Sequence, residues 1–207
     1  NTAVAEQCER FVDYVADRAD EDFTTVAMRF VRHTFRDHQR ILFDGNGYSE
    51  EWEAEAARRG LPNLKTTPDA LPAMVKPENI KFFEKYGVLS ESEVHARYVA
   101  KAEQYAKLLN IEANTMVYMT RHMYLPALFD YSGDIATSVA TKAELGIDAK
   151  AEKKMVSVLT DGINAISDAV DDLEAKNAQA KGLEDPQAAD DCYRDVVIPA
   201  MTALRTA

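Results

Sequence analysis

Apolar residues recur along most of this chain with the three- to four-residue spacing that places them on one face of an α-helix. The first stripe includes Val4, Cys8 and Phe11, and a second runs from Phe23 to Thr34. Each stripe has polar residues around it, as in a helix with one buried side. The pattern predicts two amphipathic helices within residues 1–43.

Residues 44–90 contain no long stripe, and four of the seven prolines fall between Pro62 and Pro77. The run Asp44-Gly45-Asn46-Gly47 predicts a turn whose glycines adopt positive φ, and Ser49 is placed to cap a helix after it. The segment is therefore predicted to be a connector with three short helices.

A longer apolar series begins after residue 90 and predicts a single helix over residues 91–131. Pro126 lies inside it and should bend it, because proline lacks a backbone donor. The run Ser132-Gly133-Asp134 predicts a break, after which further helices follow over residues 132–207. One of these covers roughly residues 149–181, and we expect its last turns to fray, because beyond Leu173 their apolar residues are all alanines.

These elements together predict an all-α fold, a helical bundle with several long amphipathic helices and a connector of short helices. A division near Ser132-Gly133 is one alternative for the domain organisation. A single domain over residues 1–207 is favoured, because the helices on both sides carry apolar stripes that need partners.

The charge balance narrows the classes of partner. The chain has 24 basic and 35 acidic residues, a net charge of −11, which repels phosphate backbones and anionic lipids. We therefore expect no nucleic-acid and no membrane partner.

The two cysteines, Cys8 and Cys192, lie within amphipathic patterns, which favours a reducing compartment and a cytoplasmic protein. The chain begins at Asn1 inside a helix entrance, which suggests a piece of a longer protein.

The sequence contains no familiar catalytic or metal-binding motif. It has no Glu-x-x-His, His-Glu-x-x-His, Cys-x-x-Cys or phosphate-loop pattern. A calcium loop starting at Asp44 would place Glu55 at its twelfth position, but Ser49 then occupies the position that requires glycine. We predict no catalytic, cofactor-binding or metal-ligating residue in this chain.

The turn before the first short helix carries a group of candidate contact residues. Its tyrosine and the single tryptophan of the chain either pack inward or reach toward another surface. If they reach toward another surface, Asn46, Tyr48 and Trp52 are candidate inter-domain or interface contacts.

Polar residues on the later helices allow more than one interpretation. Three polar residues on the longest predicted helix, Glu112, Asn114 and Arg121, belong either to a buried pair or to an interface. An acidic group is expected to be a solvated face; it consists of Asp168, Asp171, Asp172, Glu174, Asp190 and Asp191.

Three blocks of the sequence are distinctive: Ile41-Leu42-Phe43-Asp44-Gly45-Asn46-Gly47-Tyr48-Ser49-Glu50-Glu51-Trp52, Phe83-Glu84-Lys85-Tyr86-Gly87-Val88-Leu89-Ser90 and Ile111-Glu112-Ala113-Asn114-Thr115-Met116. They lie within the first 130 or so residues. In content and order, these blocks resemble the C-terminal region of type III glutamine synthetases. The resemblance is weaker from Ser132 onward.

This resemblance implies a parent enzyme that ligates ammonia to glutamate with ATP and Mg²⁺ or Mn²⁺. It further implies that the catalytic residues lie upstream of Asn1, so the fragment alone is expected to be inactive and to hold no cofactor. The implied partners are the rest of the parent catalytic chain and other copies in a homo-oligomer of two stacked hexameric rings. The domain would contribute to assembly or to active-site shaping. The alternative is a freestanding acidic helical protein-interaction module.

Overall fold

The computed structural model describes residues 1–207 and contains helices joined by turns and loops. Helix makes up 80% of the chain and no strand is present, which confirms the predicted all-α class. None of the helices combines the length and the apolarity needed to cross a membrane. The contacts group the chain into two compact units, residues 1–96 and 97–207. The single domain expected from the sequence stays a prediction, and each unit is described by itself.

The first unit contains two helices of four turns and three shorter ones, which agrees with the elements predicted for residues 1–43 and 44–90. They are α1 (Thr2–Ala16), α2 (Phe23–Asp37), α3 (Glu50–Arg58), α4 (Thr67–Met74) and α5 (Pro77–Lys85). Side chains at Asp22, Ser49 and Thr66 accept backbone N–H groups at the starts of α2, α3 and α4. Gly60 and Gly87 follow α3 and α5 with positive φ, the backbone that ends helices after their last turn.

Aromatic rings hold α1 against α2. The ring of Phe11 meets Phe23 and Phe30 edge-on, with centroids 6.3 and 5.2 Å away. Tyr14 adds a contact to Phe30 at 5.4 Å. Only Val26 is buried in these two helices, and α1 has no buried residue at all. The two helices are therefore joined along one seam, and most of their residues keep some exposure to solvent.

A polar cluster joins α1 to the end of α5. The Glu9 carboxylate accepts a hydrogen bond from the Lys85 ammonium at 2.5 Å and another from the Tyr86 hydroxyl. The bond from Lys85 is the main reason that the pKa of Glu9 is lowered, and the same bond raises the pKa of Lys85 to about 12. The cluster lies at the surface, so it orients the two helices more than it stabilises them.

The second unit is built around one long helix that begins in the first unit. The helix consists of α6 (Glu91–Met119), a π turn (Thr120–Tyr124) and α7 (Leu125–Glu144), 54 residues without interruption. The later helices are α8 (Lys150–Lys181), α9 (Pro186–Cys192), a second π turn (Tyr193–Val197) and α10 (Ile198–Thr206).

Two prolines in the second unit, one in the long helix and one in the last helix of the chain, each come shortly after a π turn. Pro126 is the second residue of α7 and Pro199 the second residue of α10. In each case the preceding turn is closed by a five-residue bond, from Leu125 N–H to the carbonyl of Thr120 and from Ile198 N–H to that of Tyr193. The wider turn lets the helix continue past a proline, which has no backbone N–H to donate. The bend predicted at Pro126 thus takes the form of a π turn.

The break predicted at Ser132-Gly133-Asp134 is wrong, and so is the boundary at residue 131. The helix continues through Gly133 to Glu144. An internal glycine costs a helix only about 1 kcal/mol relative to alanine. Packing of α7 along α8 outweighs that cost.

The core of the second unit lies where α8 meets the long helix and the last segment of the chain. Its buried residues are Ala113, Leu125, Ile163, Val170, Leu173, Ala180, Tyr193, Val197, Ala200 and Leu204. The expectation that α8 frays beyond Leu173 is wrong, because Asn177 and Ala180 are buried there. Small side chains let the final helices approach α8 closely, so alanine here belongs to the core.

Candidate functional site

The turn that carries the candidate contact residues is organised by Asn46. Its side-chain oxygen accepts the Tyr48 N–H at 3.0 Å, and its carbonyl accepts the hydroxyl of Ser49 at 2.8 Å. Ser49 in turn accepts the backbone N–H of Trp52 at 3.3 Å and caps α3. One asparagine therefore sets both the shape of the turn and the start of the helix.

The glycines of this turn serve a different purpose from the one predicted. Neither Gly45 nor Gly47 has positive φ, so the expectation of left-handed backbone is wrong. A Cβ on Gly45 would stand 2.8 Å from two ring atoms of Phe43. Any larger residue at position 45 would therefore displace the Phe43 ring, a close approach that sequence spacing does not reveal.

Trp52 is half-buried and packs locally. The centroid of its ring lies 4.5 Å from that of Phe43, and the guanidinium of Arg59 stands over it at 5.7 Å from the ring centroid. Arg59 also donates to the carbonyls of Leu42 and Arg40, at 2.6 and 3.2 Å. These contacts clamp the loop before the turn onto α3.

A carboxylate supports this clamp. Glu55 accepts hydrogen bonds from Arg58 at 2.6 Å and from Arg59 at 2.5 Å. The two guanidinium groups, Arg58 first, lower the pKa of Glu55 to about 2. Glu55 therefore stays ionised, and holds Arg59 in place, at any physiological pH.

Tyr48 differs from its two neighbours because its side chain is fully exposed. Its backbone is fixed by Asn46, but its ring lies in solvent. The alternative in which both rings pack inward is therefore correct for Trp52 and wrong for Tyr48. The structure thus presents one tyrosine ring in solvent on a turn whose backbone is held by Asn46, while Trp52 packs on the helix that follows.

The second unit contains a polar group that joins α6 to α8. The Asn177 amide donates to the side-chain oxygens of Asn110 and Asn114, at 3.1 and 3.2 Å. Arg121 donates to Asp171 at 2.8 Å and also to Glu174. Asn114 and Arg121 therefore both bind α8 within the chain itself.

Asp190 is a residue whose environment the sequence pattern did not predict. It was assigned to a solvated acidic face, but its side chain is completely buried and neither carboxylate oxygen has a hydrogen-bond partner in the protein. Burial raises the pKa of Asp190 to about 7, and the neighbouring Asp191 adds to the shift. No signal in the sequence separates it from Asp191, which is more exposed and pairs with Arg194 at 3.1 Å.

The structure contains no group of three or more His, Cys, Asp or Glu side chains that could hold a metal ion. Two grooves on the second unit are open surface features. One of about 330 Å³ lies beside α6 and the end of α8, lined by four alanines, four charged side chains and Tyr193, among others. The fold and site therefore define an all-helical domain that presents an exposed tyrosine on the turn before α3.

Comparisons with known proteins agree on one family. The family described as the glutamine synthetase C-terminal domain matches residues 27–143. A glutamine synthetase from Butyrivibrio fibrisolvens is 32% identical over 177 residues, which is 84% of this chain and 25% of that protein. The type-3 glutamine synthetase of Dictyostelium discoideum is 30% identical over 213 aligned positions, covering 99% of this chain and 29% of its own length.

This chain belongs to the glutamine synthetase C-terminal domain family. The resemblance drawn from the turn and its flanking blocks is thereby confirmed. The chain spans about a quarter to three tenths of the length of the curated relatives that it matches.

Proposed function

We propose that this chain forms the C-terminal helical domain of a larger glutamine synthetase and contributes to its assembly or to the shape of its active site. The observation that carries the proposal is the family match together with near-complete coverage of this chain by relatives more than three times its length. The parent would ligate ammonia to glutamate with ATP and Mg²⁺ or Mn²⁺. Residues 1–207 contain no cluster of ligands suited to such ions, so the proposal assigns the ligands to the rest of the parent chain.

The proposed partners of this domain are the rest of the parent chain and, in the assembly, further copies of the parent. Tyr48 is the proposed contact. A large exposed aromatic ring on a turn with fixed backbone loses little conformational freedom on binding, which is why tyrosine is frequent at interfaces. Asn46 and Trp52 support the proposal indirectly. Asn46 holds the backbone of Tyr48 by a hydrogen bond, and Trp52 packs the helix after the turn against Phe43.

We expect Tyr48→Ala to impair the assembly or activity of the parent by about tenfold or more, the loss typical of an interface hot spot. The same change should leave the thermal melting of the 207-residue chain nearly unaltered, because the ring is fully exposed on it. Sedimentation of the parent, an ATP- and glutamate-dependent phosphate-release assay, and a melt of the chain measure the three effects.

Trp52→Ala is the matched comparison. It removes a half-buried ring that packs on Phe43 and Arg59, so it should lower the melting temperature of the 207-residue chain itself. If Tyr48→Ala destabilised the chain as much as Trp52→Ala, or if the parent tolerated it fully, Tyr48 would not be an interface residue.

The alternative, a freestanding acidic interaction module, is separated from the proposal by two measurements. The coding sequence before Asn1 should encode a long strand-rich region with clustered glutamates, and a start codon within a few residues would instead favour the module. The purified 207-residue chain should show no phosphate release with ATP, glutamate and ammonia. Clear turnover by this chain would contradict the placement of the catalytic residues elsewhere.

A further inference from the structure

Helix α1 exposes the apolar residues that its pattern predicted to be buried. Val4 and Val12 are 65% and 60% exposed, and Cys8 lies between them on the same line of the helix and is also exposed. The seam with α2 uses the adjacent line, through Phe11 and Tyr14. The apolar stripe of α1 is therefore wider than α2 can cover.

A second apolar group continues this surface from the end of α2. Phe35 is 59% exposed, and Ile41 and Leu42, in the short 3₁₀ turn and just after it, are about half exposed. Gln7 of α1 borders the groove formed by each group, so the two grooves are neighbours. We call this surface the α1–α2 face; its members are Val4, Cys8, Val12, Phe35, Ile41 and Leu42.

Single exposed apolar residues need no explanation, but a continuous group of six on two adjoining segments does. Such groups on folded proteins mark surfaces that are covered by another element or another protein. Burying them would remove valine, isoleucine, leucine and phenylalanine side chains from water, which is the main favourable contribution in association.

We propose that the α1–α2 face packs against the remainder of the parent glutamine synthetase chain, the part by which the relatives exceed the matched length. This inference rests on the proposed function. Under the proposed function, the rest of the parent precedes this domain along the polypeptide. Helix α1, which carries half of the face, is then the helix of this chain nearest to the rest of the parent in sequence.

Two physical arguments favour this occupant over a second copy of the chain. A surface tethered on the same polypeptide is present at a high effective concentration, so an intramolecular contact forms before an intermolecular one. Each copy of the chain also carries a net charge of −11, and bringing two copies together adds their repulsion.

Cys8 provides a direct probe of the face. Its thiol is exposed, whereas Cys192 is half-buried and has a pKa raised by burial, so the two differ in reactivity. The measurement is the rate of maleimide labelling of the Cys8 peptide by mass spectrometry, in the full parent and in the 207-residue chain. We expect labelling in the parent to be slower by about tenfold or more, because access to a thiol limits its rate.

The matched control places a thiol on the same helix away from the face. In a Cys8→Ser background, Asp13→Cys should be labelled at similar rates in the parent and in the 207-residue chain, because position 13 is exposed and points elsewhere. Helix content by circular dichroism verifies that both proteins are folded.

A substitution in the parent gives an independent measurement. Val12→Arg should speed the labelling of Cys8 in the parent by about tenfold, because a charge without a partner would be buried in the contact and would open it. Asp13→Arg places the same side chain on the next residue, outside the face, and should leave that rate unchanged.

The outcomes separate this inference from the proposed function. Equal labelling of Cys8 in both proteins, together with Val12→Arg behaving as Asp13→Arg, would overturn the docking of the face while leaving a functional parent. Protection of Cys8 in the 207-residue chain alone, increasing with concentration, would assign the face to a second copy and overturn the inference. Absence of a catalytic region in the coding sequence would instead overturn the proposed function.

Discussion

Asp190→Asn should raise the free energy of unfolding of this chain by about 2–4 kcal/mol at pH 8 and change it by less than about 0.5 kcal/mol at pH 4. Asp190 is fully buried and its oxygens have no partner in the protein. Ionising it there is unfavourable, whereas the asparagine amide is neutral at every pH and nearly the same size. Urea unfolding followed by far-UV circular dichroism measures the difference.

The sign of the pH dependence follows from the direction of the shift. The pKa of Asp190 rises from an ordinary 3.8 to about 7 in the folded chain. Between these values the folded state holds a proton that the unfolded state has lost, so stability falls as the pH rises. Well below pH 3.8 both states are largely protonated at this group, and well above pH 7 the penalty is constant. Each pH unit in between contributes about 1.4 kcal/mol at most.

Asp191→Asn is the control for this experiment. Asp191 is its neighbour in sequence but is more exposed and pairs with Arg194 at 3.1 Å. Removing its charge should change the stability by no more than about 1 kcal/mol at either pH, as for other surface ion pairs. A gain at pH 8 from Asp191→Asn as large as that from Asp190→Asn would contradict the special position of Asp190.

Leu173→Ala should destabilise the chain by about 2–5 kcal/mol, the range for deleting a buried leucine side chain. Leu173 is completely buried on α8, in the cluster that includes Val170, Tyr193 and Val197. The loss combines transfer of the side chain from the core with the cavity that remains. Thermal and urea unfolding of the 207-residue chain measure it.

Leu108→Ala is the matched control on α6, at a position that is 53% exposed. It should change the stability by less than about 0.5 kcal/mol, because little area is removed and alanine favours helix. If the two substitutions had equal effects, the second half of α8 would not form the core that the structure shows.

The candidate site was only partly accessible from the sequence. The turn and its cap at Ser49 follow from local chemistry, since asparagine, glycine and serine bond to their own backbone. Whether Tyr48 and Trp52 pack inward depends on the clamp formed by Phe43 and Arg59. Phe43 lies in the loop before the turn and Arg59 at the end of α3. Spacing along the chain therefore does not predict that they cover the ring of Trp52 and leave that of Tyr48 exposed.

Prolines and glycines illustrate the same limit in the fold. The sequence indicated a disturbance at Pro126 and a break at Gly133, and both expectations rest on intrinsic preferences of about 1–3 kcal/mol. Packing of the long helix along α8 provides enough contact to override the glycine, and a π turn accommodates the proline. Local preferences are weak in comparison with a long helix–helix interface.

The sequence by itself determined the all-helical class, most helix starts and the family, because these depend on apolar periodicity, capping residues and ordered blocks of residues. The tertiary structure alone decided that Asp190 is buried while Asp191 pairs with Arg194 in a more exposed position. It likewise decided that Ala180 is core and that α1 keeps an uncovered apolar line. Burial is set by which helices approach one another, and the helical period of a single segment does not contain that information.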